Sequence, residues 1–163
     1  MAVLIIALEF LHNNGFLHRD LAPENIIFDE KGYPKLADFG LAREWRKDNM
    51  SDTSGRAGYI APEILLREPQ GPGVDYFALG VITWEIMLKT SPWPRDSRKA
   101  YRDAVLTQQA ALKKADTPDS WSHEAADFIN KCIKRRPEAR LGLNGPAELK
   151  SHIWFKEFDW RSL

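Results

Sequence analysis

The chain carries the stretch His18-Arg19-Asp20-Leu21-Ala22-Pro23-Glu24-Asn25, and Asp38-Phe39-Gly40 follows after one short hairpin. Two aspartates and an asparagine this close in sequence offer three oxygen-bearing side chains near one point. Hard cations such as Mg²⁺ bind oxygen and keep several waters, so one or two protein oxygens together with substrate phosphates suit them. One carboxylate is then free to orient a hydroxyl nucleophile. The pattern predicts a cation site with a proton acceptor beside it.

The composition favours one globular domain without a strong charge preference. The chain has 163 residues, 44% apolar residues and six tryptophans, which argues against disorder. Its 23 basic and 23 acidic residues balance, so no overall field attracts nucleic acid or an anionic membrane. The apolar stretch 1–8 is too short to span a bilayer, which takes about 20 residues. A single cysteine, Cys132, allows no internal disulfide, and we expect a cytoplasmic or nuclear location.

A predicted β-hairpin brings the polar residues of the candidate site together. Residues 26–28 and 34–37 read as strands, and the turn between them contains a glycine. The hairpin carries Asn25 at one end and Asp38 at the other. Pairing of the two strands therefore predicts that Asn25 and Asp38 meet in space.

The remainder of the chain predicts a mainly α-helical domain over residues 1–163. Leucines at helical spacing indicate a first helix over residues 2–14. Residues 41–58 are polar and without period, which is typical of an exposed loop. Further helices are predicted over residues 75–87, which are apolar on nearly all sides, over 97–114, from Ser122 as N-cap, and over 147–152.

These motifs, taken together, resemble the protein kinase superfamily. Residues 18–25 resemble its catalytic loop H-R-D-L-x-x-x-N, residues 38–40 its D-F-G motif and residues 61–63 its A-P-E motif, in the same order. The strings over residues 74–81 and 152–160 look most like the AGC group of Ser/Thr kinases. The resemblance covers essentially all 163 residues, as the helical C-terminal lobe. We expect the N-terminal lobe, with its G-x-G-x-x-G loop and V-A-I-K lysine, to be absent and, for activity, to be supplied separately.

The resemblance implies roles for individual residues. It implies that Asp20 orients the substrate hydroxyl and accepts its proton, and that Asn25 and Asp38 hold Mg²⁺ beside ATP. It also implies that Ile27 forms the floor of the adenine pocket. Arg19 is expected to pair with a phosphate on the loop over residues 41–58, which we call the activation-type loop. The catalytic group implied is Asp20, Arg19 and Asn25.

Two acidic residues are candidates for substrate binding. Glu24 and Glu85 align with positions at which basophilic kinases hold an arginine of the protein substrate. The resemblance therefore implies a protein substrate with basic residues. A third acidic residue, Glu63, is expected to form a structural ion pair with Arg140.

The activation-type loop also predicts phosphorylation. Thr53 is the first candidate, and Ser51 or Ser54 comes next. The reason is that an arginine such as Arg19 is expected to lack a stable partner until a phosphate arrives. The alternative is a Ser/Thr-rich loop that is simply solvated.

Departures from the family pattern keep alternative functions open. Ala22 stands where Ser/Thr kinases carry a lysine for the γ-phosphate, and Arg56 stands where a threonine joins that lysine to the catalytic aspartate. The first hypothesis is an ATP- and Mg²⁺-dependent Ser/Thr kinase, present as a fragment with low activity alone. The second is a kinase-like binding scaffold without phosphoryl transfer. A small-molecule phosphotransferase ranks last, because it would not be expected to carry residues 61–63.

Overall fold

A computed structural model describes residues 1–163, apart from the side chain of Lys47, and it is mainly helical. The helices are α1 Ala2–Asn13, α2 Pro62–Leu66, α3 Gly73–Leu88, α4 Arg98–Thr107, α5 His123–Cys132 and α6 Pro146–Lys150. The strands are β1 Phe16–Leu17, β2 Ile26–Phe28, β3 Pro34–Leu36 and β4 Arg43–Glu44. The prediction of a mainly α-helical fold with a short β-hairpin is confirmed. No helix in the described part of the chain combines the length and apolarity needed to cross a membrane.

Helix α3 forms the centre of the core, as its apolar sequence predicts. Every residue from Val74 to Thr83 is buried. Its main neighbour is α5, and the two helices approach closely at Gly80, where a Cβ would lie 2.6 Å from the Cβ of Cys132. A side chain at position 80 would therefore push the two helices apart.

The predicted hairpin forms from β2 and β3, which pair antiparallel with Ile26 opposite Leu36. A further backbone hydrogen bond, in which Ala37 N–H donates to Asn25 O at 2.9 Å, extends the pairing past the strand ends. The next residue is Asp38. The hairpin register thus brings Asn25 and the start of the 38–40 segment to the same end of the sheet.

The activation-type loop contains structure that its sequence does not reveal. Strand β4 pairs antiparallel with β1, with Phe16 opposite Glu44, and a 3₁₀ turn follows over Lys47–Ser51. Strands of two residues are too short to show an alternating pattern, so periodicity could not find them. The pairing fixes the first part of the loop against the segment that leads into residues 18–20.

The prediction of a helix over residues 97–114 is wrong at its C-terminal end, because α4 ends at Thr107. Side chains from other elements hold the residues that follow in an extended path. Asn130 of α5 accepts a hydrogen bond from Leu112 N at 2.7 Å and donates one to Leu112 O at 2.8 Å. Trp93 Nε1 donates to Gln108 O at 3.1 Å. These long-range bonds replace the helical hydrogen bonds that local sequence favours.

The expected ion pair between Glu63 and Arg140 is present and buried. Arg140 Nη2 donates to Glu63 Oε2 at 2.9 Å, Nη1 donates to Oε1 at 2.5 Å, and the side chains are 1% and 2% exposed. Arg140 also donates to the carbonyl of Gly73 at 2.9 Å. The pair therefore joins the A-P-E segment at α2 to the start of α3.

Substitution Glu63→Gln should lower the free energy of unfolding by about 3 kcal/mol, because it leaves the buried Arg140 guanidinium without a counter-charge. Urea denaturation followed by circular dichroism measures this change. Glu138→Gln is the matched control, since Glu138 is exposed. Equal effects of the two substitutions would contradict the structural role of the pair.

Candidate active site

The carboxylate of Asp75, in the first turn of α3, holds the backbone of the candidate site. Its Oδ1 accepts from Arg19 N–H at 2.8 Å, and its Oδ2 accepts from His18 N–H at 2.9 Å and from His12 Nε2 at 2.7 Å. Burial opposes the charge, but the hydrogen bonds from His12 and from the two backbone N–H groups outweigh it and leave the pKa of Asp75 below its ordinary value. Sequence reasoning placed Asp75 in a family motif and missed this anchoring role.

The backbone adopts the left-handed region at two residues of the candidate site. Arg19 has φ 68° and Asp38 has φ 57°, whereas the other two described non-glycine residues with positive φ, Arg67 and Lys89, cap helices. Such conformations are unfavourable for residues with a Cβ and persist where surrounding contacts impose them. For Arg19 the imposing contact is the hydrogen bond to Asp75.

Asp20 and Asn25 form a directly bonded pair. Asn25 Nδ2 donates to Asp20 O at 2.8 Å and to Asp20 Oδ2 at 2.9 Å, and the Asn25 side chain is buried. Both amide hydrogens are thus used to hold Asp20. The described hydrogen bonds leave Asn25 Oδ1 without a donor, so this oxygen is available to a cation.

Asp38 and Ile27 lie on an open surface beside this pair. Asp38 is exposed, and its Oδ1 accepts from Gly40 N–H at 3.1 Å. The neighbouring Phe39 packs on His18 with ring centroids 5.0 Å apart. Ile27 projects from the hairpin and is 53% exposed. No group of three or more His, Cys, Asp or Glu side chains in the described part of the chain is placed to hold a metal ion.

Arg19 has a partner without any phosphate. Its guanidinium donates from Nη1 to Asp52 Oδ2 and from Nη2 to Asp52 O, both at 2.9 Å. The expectation that Arg19 lacks a stable partner is therefore wrong, because the activation-type loop itself supplies an anion. Phosphorylation at Thr53, Ser51 or Ser54 stays a prediction, but it loses the reason given for it.

Glu24 is paired with an arginine of the same chain. Arg56 Nη1 lies 3.1 Å from Glu24 Oε1, and Arg56 Nη2 lies 3.8 Å from Asp20 Oδ2. The position at which the family carries a lysine, Ala22, is fully buried. Among the described side chains, the cation that approaches the Asp20 carboxylate therefore comes from the activation-type loop.

Glu85 is also engaged, in a cluster around Tyr59. Arg95 forms an ion pair with Glu85, and Tyr59 Oη donates to Glu85 Oε2 at 2.8 Å. The Arg95 guanidinium lies 4.4 Å from the centre of the Tyr59 ring. Gly58 makes room for it, because a Cβ there would lie 2.5 Å from Arg95 Nε. Both carboxylates that were expected to bind substrate thus already pair with an arginine of this chain, Glu24 with Arg56 and Glu85 with Arg95. Local sequence patterns could not reveal these pairs.

Comparison with known proteins supports the resemblance seen in the sequence. Residues 1–155 match the family model described as protein kinase domain. The chain is 37% identical to ribosomal protein S6 kinase beta of Caenorhabditis elegans over 98% of its length and 29% of that protein. It is 36% identical to protein kinase C of Drosophila melanogaster, with 99% of the chain and 22% of that protein covered. A probable serine/threonine-protein kinase of Dictyostelium discoideum is 36% identical, over 100% of the chain and 35% of that protein.

The comparisons bear on the family to which the sequence was assigned. The predicted resemblance to the protein kinase superfamily, and within it to the AGC group, is confirmed. The chain spans about a third or less of the length of these relatives, at 35%, 29% and 22%.

The substitution Asp75→Asn should make the protein less sensitive to acid. Because folding lowers the pKa of Asp75, its contribution to stability is present above the unfolded pKa of about 3.9 and is lost as the pH falls through the folded value. Wild type should be more stable than Asp75→Asn at pH 7, and the difference should shrink below about pH 4. The midpoints of urea denaturation between pH 7 and pH 3 measure this difference in stability. The exposed control Asp119→Asn should follow wild type, and a difference for Asp75→Asn that is constant with pH would contradict the assignment.

Proposed function

This chain belongs to the protein kinase family, and we propose that it takes part in ATP- and Mg²⁺-dependent phosphoryl transfer to a serine or threonine hydroxyl of a protein substrate. The observation that carries the proposal is the Asp20–Asn25 pair. The Asn25 amide holds one carboxylate oxygen of Asp20 at 2.9 Å and leaves its own carbonyl oxygen available. One arrangement thus offers both a proton acceptor and a cation ligand.

The residues present fit a magnesium–nucleotide complex. Asn25 Oδ1 and the exposed Asp38 carboxylate would provide the two protein oxygens that Mg²⁺ takes beside phosphates and water. Ile27 offers an exposed apolar face to the base. When bound, Mg²⁺ and ATP supply the transferable phosphoryl group and neutralise its charge.

Asp20 then acts on the substrate. Its carboxylate is 10% exposed, so it reaches the surface and can accept a hydrogen bond from an approaching hydroxyl. The Asn25 amide keeps that carboxylate in place, and Asp75 fixes the backbone one residue before it. A positioned base of this kind contributes about 10²–10⁴ in rate.

We further propose that the opposite wall of the ATP site lies outside residues 1–163. Within these residues no G-x-G-x-x-G segment opens a strand, and no V-A-I-K lysine is present. The stretch matched here makes up 35% and 29% of the length of two of the relatives. The activity is therefore a property of a larger assembly of which this chain supplies the helical wall.

A scaffold without transfer activity is the second candidate, and one observation favours it. Arg56 lies 3.8 Å from the Asp20 carboxylate and also pairs with Glu24. A guanidinium at this place can compete with a substrate hydroxyl for Asp20. The two candidates differ in whether the wild-type chain supports any phosphoryl transfer.

We expect Asp20→Asn to reduce phosphoryl transfer at least about 100-fold with little change in ATP affinity, because Asp20 acts on the hydroxyl. Asp38→Ala should instead weaken Mg²⁺·ATP binding. Both are measured in a fusion protein. In it, the part of the C. elegans ribosomal protein S6 kinase beta that precedes the matched segment is joined to the N-terminus of residues 1–163. Asp119→Asn is the control. If the wild-type fusion binds ATP but transfers no phosphoryl group, the result would favour the scaffold function.

Substrates should lack a basic residue at the position facing Glu85, because Arg95 already occupies that carboxylate. Arg95→Ala should raise affinity for an arginine-bearing peptide about tenfold, and the double variant Arg95→Ala/Glu85→Gln should lose the gain. Peptide binding by fluorescence anisotropy measures both. Arg102→Ala, an exposed control on α4, should change nothing. A wild type that already prefers the arginine peptide tenfold would contradict this expectation.

A further inference from the structure

The Arg19 guanidinium is a buried cation next to the proposed catalytic aspartate. Its side chain is 0% exposed, and its backbone N–H is bound to Asp75. A guanidinium removed from water to this extent is costly unless an anion pairs with it. The anion that pairs with Arg19 therefore influences the position of the segment that contains Asp20.

Asp52 of the activation-type loop supplies that anion through one carboxylate oxygen, and its main-chain carbonyl adds a second contact. Arg19 Nη1 and Nη2 reach the carboxylate Oδ2 and the main-chain carbonyl of Asp52, each at 2.9 Å. A second cation, Arg43 of β4, lies with its Nε 3.8 Å from the same Oδ2. The other carboxylate oxygen accepts from Ser54 N–H at 2.8 Å and so shapes the turn that follows. The hydrogen bonds from Arg19 and Ser54 hold the pKa of Asp52 well below its usual range, so it stays ionised.

The loop around Asp52 is held from two further sides. Gln70, which is buried, donates from Nε2 to Asn49 O and to Asp52 O at 2.9 Å each. Arg98 of α4 donates to Gly55 O at 2.9 Å and to Thr53 O. These contacts all go to main-chain carbonyls. Among the described contacts of the loop, only Asp52 brings a negative charge to Arg19.

We propose that Asp52 is a positioning residue whose carboxylate takes the place of a phosphate, so that the activation-type loop is ordered against the catalytic segment without phosphorylation. Like a phosphate oxygen, a carboxylate oxygen is an anionic acceptor for arginine, and here Asp52 Oδ2 accepts from Arg19 Nη1 while Oδ1 accepts from Ser54 N–H. The neighbouring hydroxyl residues Ser51, Thr53 and Ser54 make no described side-chain contact with Arg19. Since Nη1 and Nη2 of Arg19 both bond to Asp52, a phosphate on one of these hydroxyl residues could bind the two nitrogen atoms only by displacing Asp52.

The first test measures loop order directly. Hydrogen exchange of residues 41–58 is followed in wild type before and after phosphatase treatment, with mass spectrometry to confirm that Ser51, Thr53 and Ser54 are bare. We expect the same protection in both samples. Asp52→Asn should raise exchange of the loop at least tenfold, and Asp52→Glu should restore part of the protection. Asp48→Asn, an exposed aspartate of the same loop, should leave exchange unchanged.

The second test separates positioning from simple stabilisation, and this part rests on the proposed function. In the fusion described above, Asp52→Asn should lower kcat about tenfold with an unchanged KM for ATP, and Asp48→Asn should alter neither. If wild type transfers no phosphoryl group, the proposed function fails, while the exchange experiment still decides the role of Asp52.

Three results would overturn the proposal. They are loop exchange that rises in wild type on phosphatase treatment, protection in Asp52→Asn equal to wild type, and an equal loss of kcat in Asp48→Asn. The phosphatase comparison requires no variant, so it decides even if Asp52→Asn fails to fold.

Discussion

The buried carboxylate of Asp75 is the contact on which the candidate site depends. It lies in the first turn of the central helix and binds two consecutive backbone N–H groups, those of His18 and Arg19, at 2.9 and 2.8 Å. A carboxylate without water around it is stable only because these donors and His12 surround it. The core therefore fixes the left-handed backbone conformation at Arg19. This conformation in turn sets the direction in which the chain continues to Asp20.

The same principle of paired buried charges extends from the core to the loop. The guanidinium of Arg19 is buried and requires its own anion, which the partly exposed Asp52 provides at 2.9 Å. Glu63 and Arg140 form a second buried pair that ties the far end of the loop to the start of α3. Removing either member of such a pair is more harmful than replacing both. The path of the chain is thus determined within the loop at Asp52 and beyond its C-terminal end at Glu63, because the buried arginines Arg19 and Arg140 need these partners.

Sequence reasoning succeeded where local pattern decides structure. The hairpin that leads from Asn25 to Asp38, the apolar helix α3 and the Ser122 cap follow from turn chemistry, apolar character and capping preference, and the structure contains all three. It failed where distant side chains decide. The end of α4 depends on Asn130, 18 residues from Leu112, and the partner of Arg19 lies 33 residues away. Helix propensity and motif spacing carry no information about such contacts.

The contacts of the loop also link its order to the charge beside Asp20. Ala22 is fully buried, and the nearest cation to the Asp20 carboxylate is Arg56, four residues after Asp52. Arg98 holds the carbonyls of Thr53 and Gly55 between them, so the backbone from Asp52 to Arg56 is constrained along its length. A lysine at position 22 would belong to the rigid catalytic segment, whereas Arg56 belongs to the loop. If Asp52 orders the loop as proposed, the Arg19–Asp52 pair also places the Arg56 cation beside the proposed base.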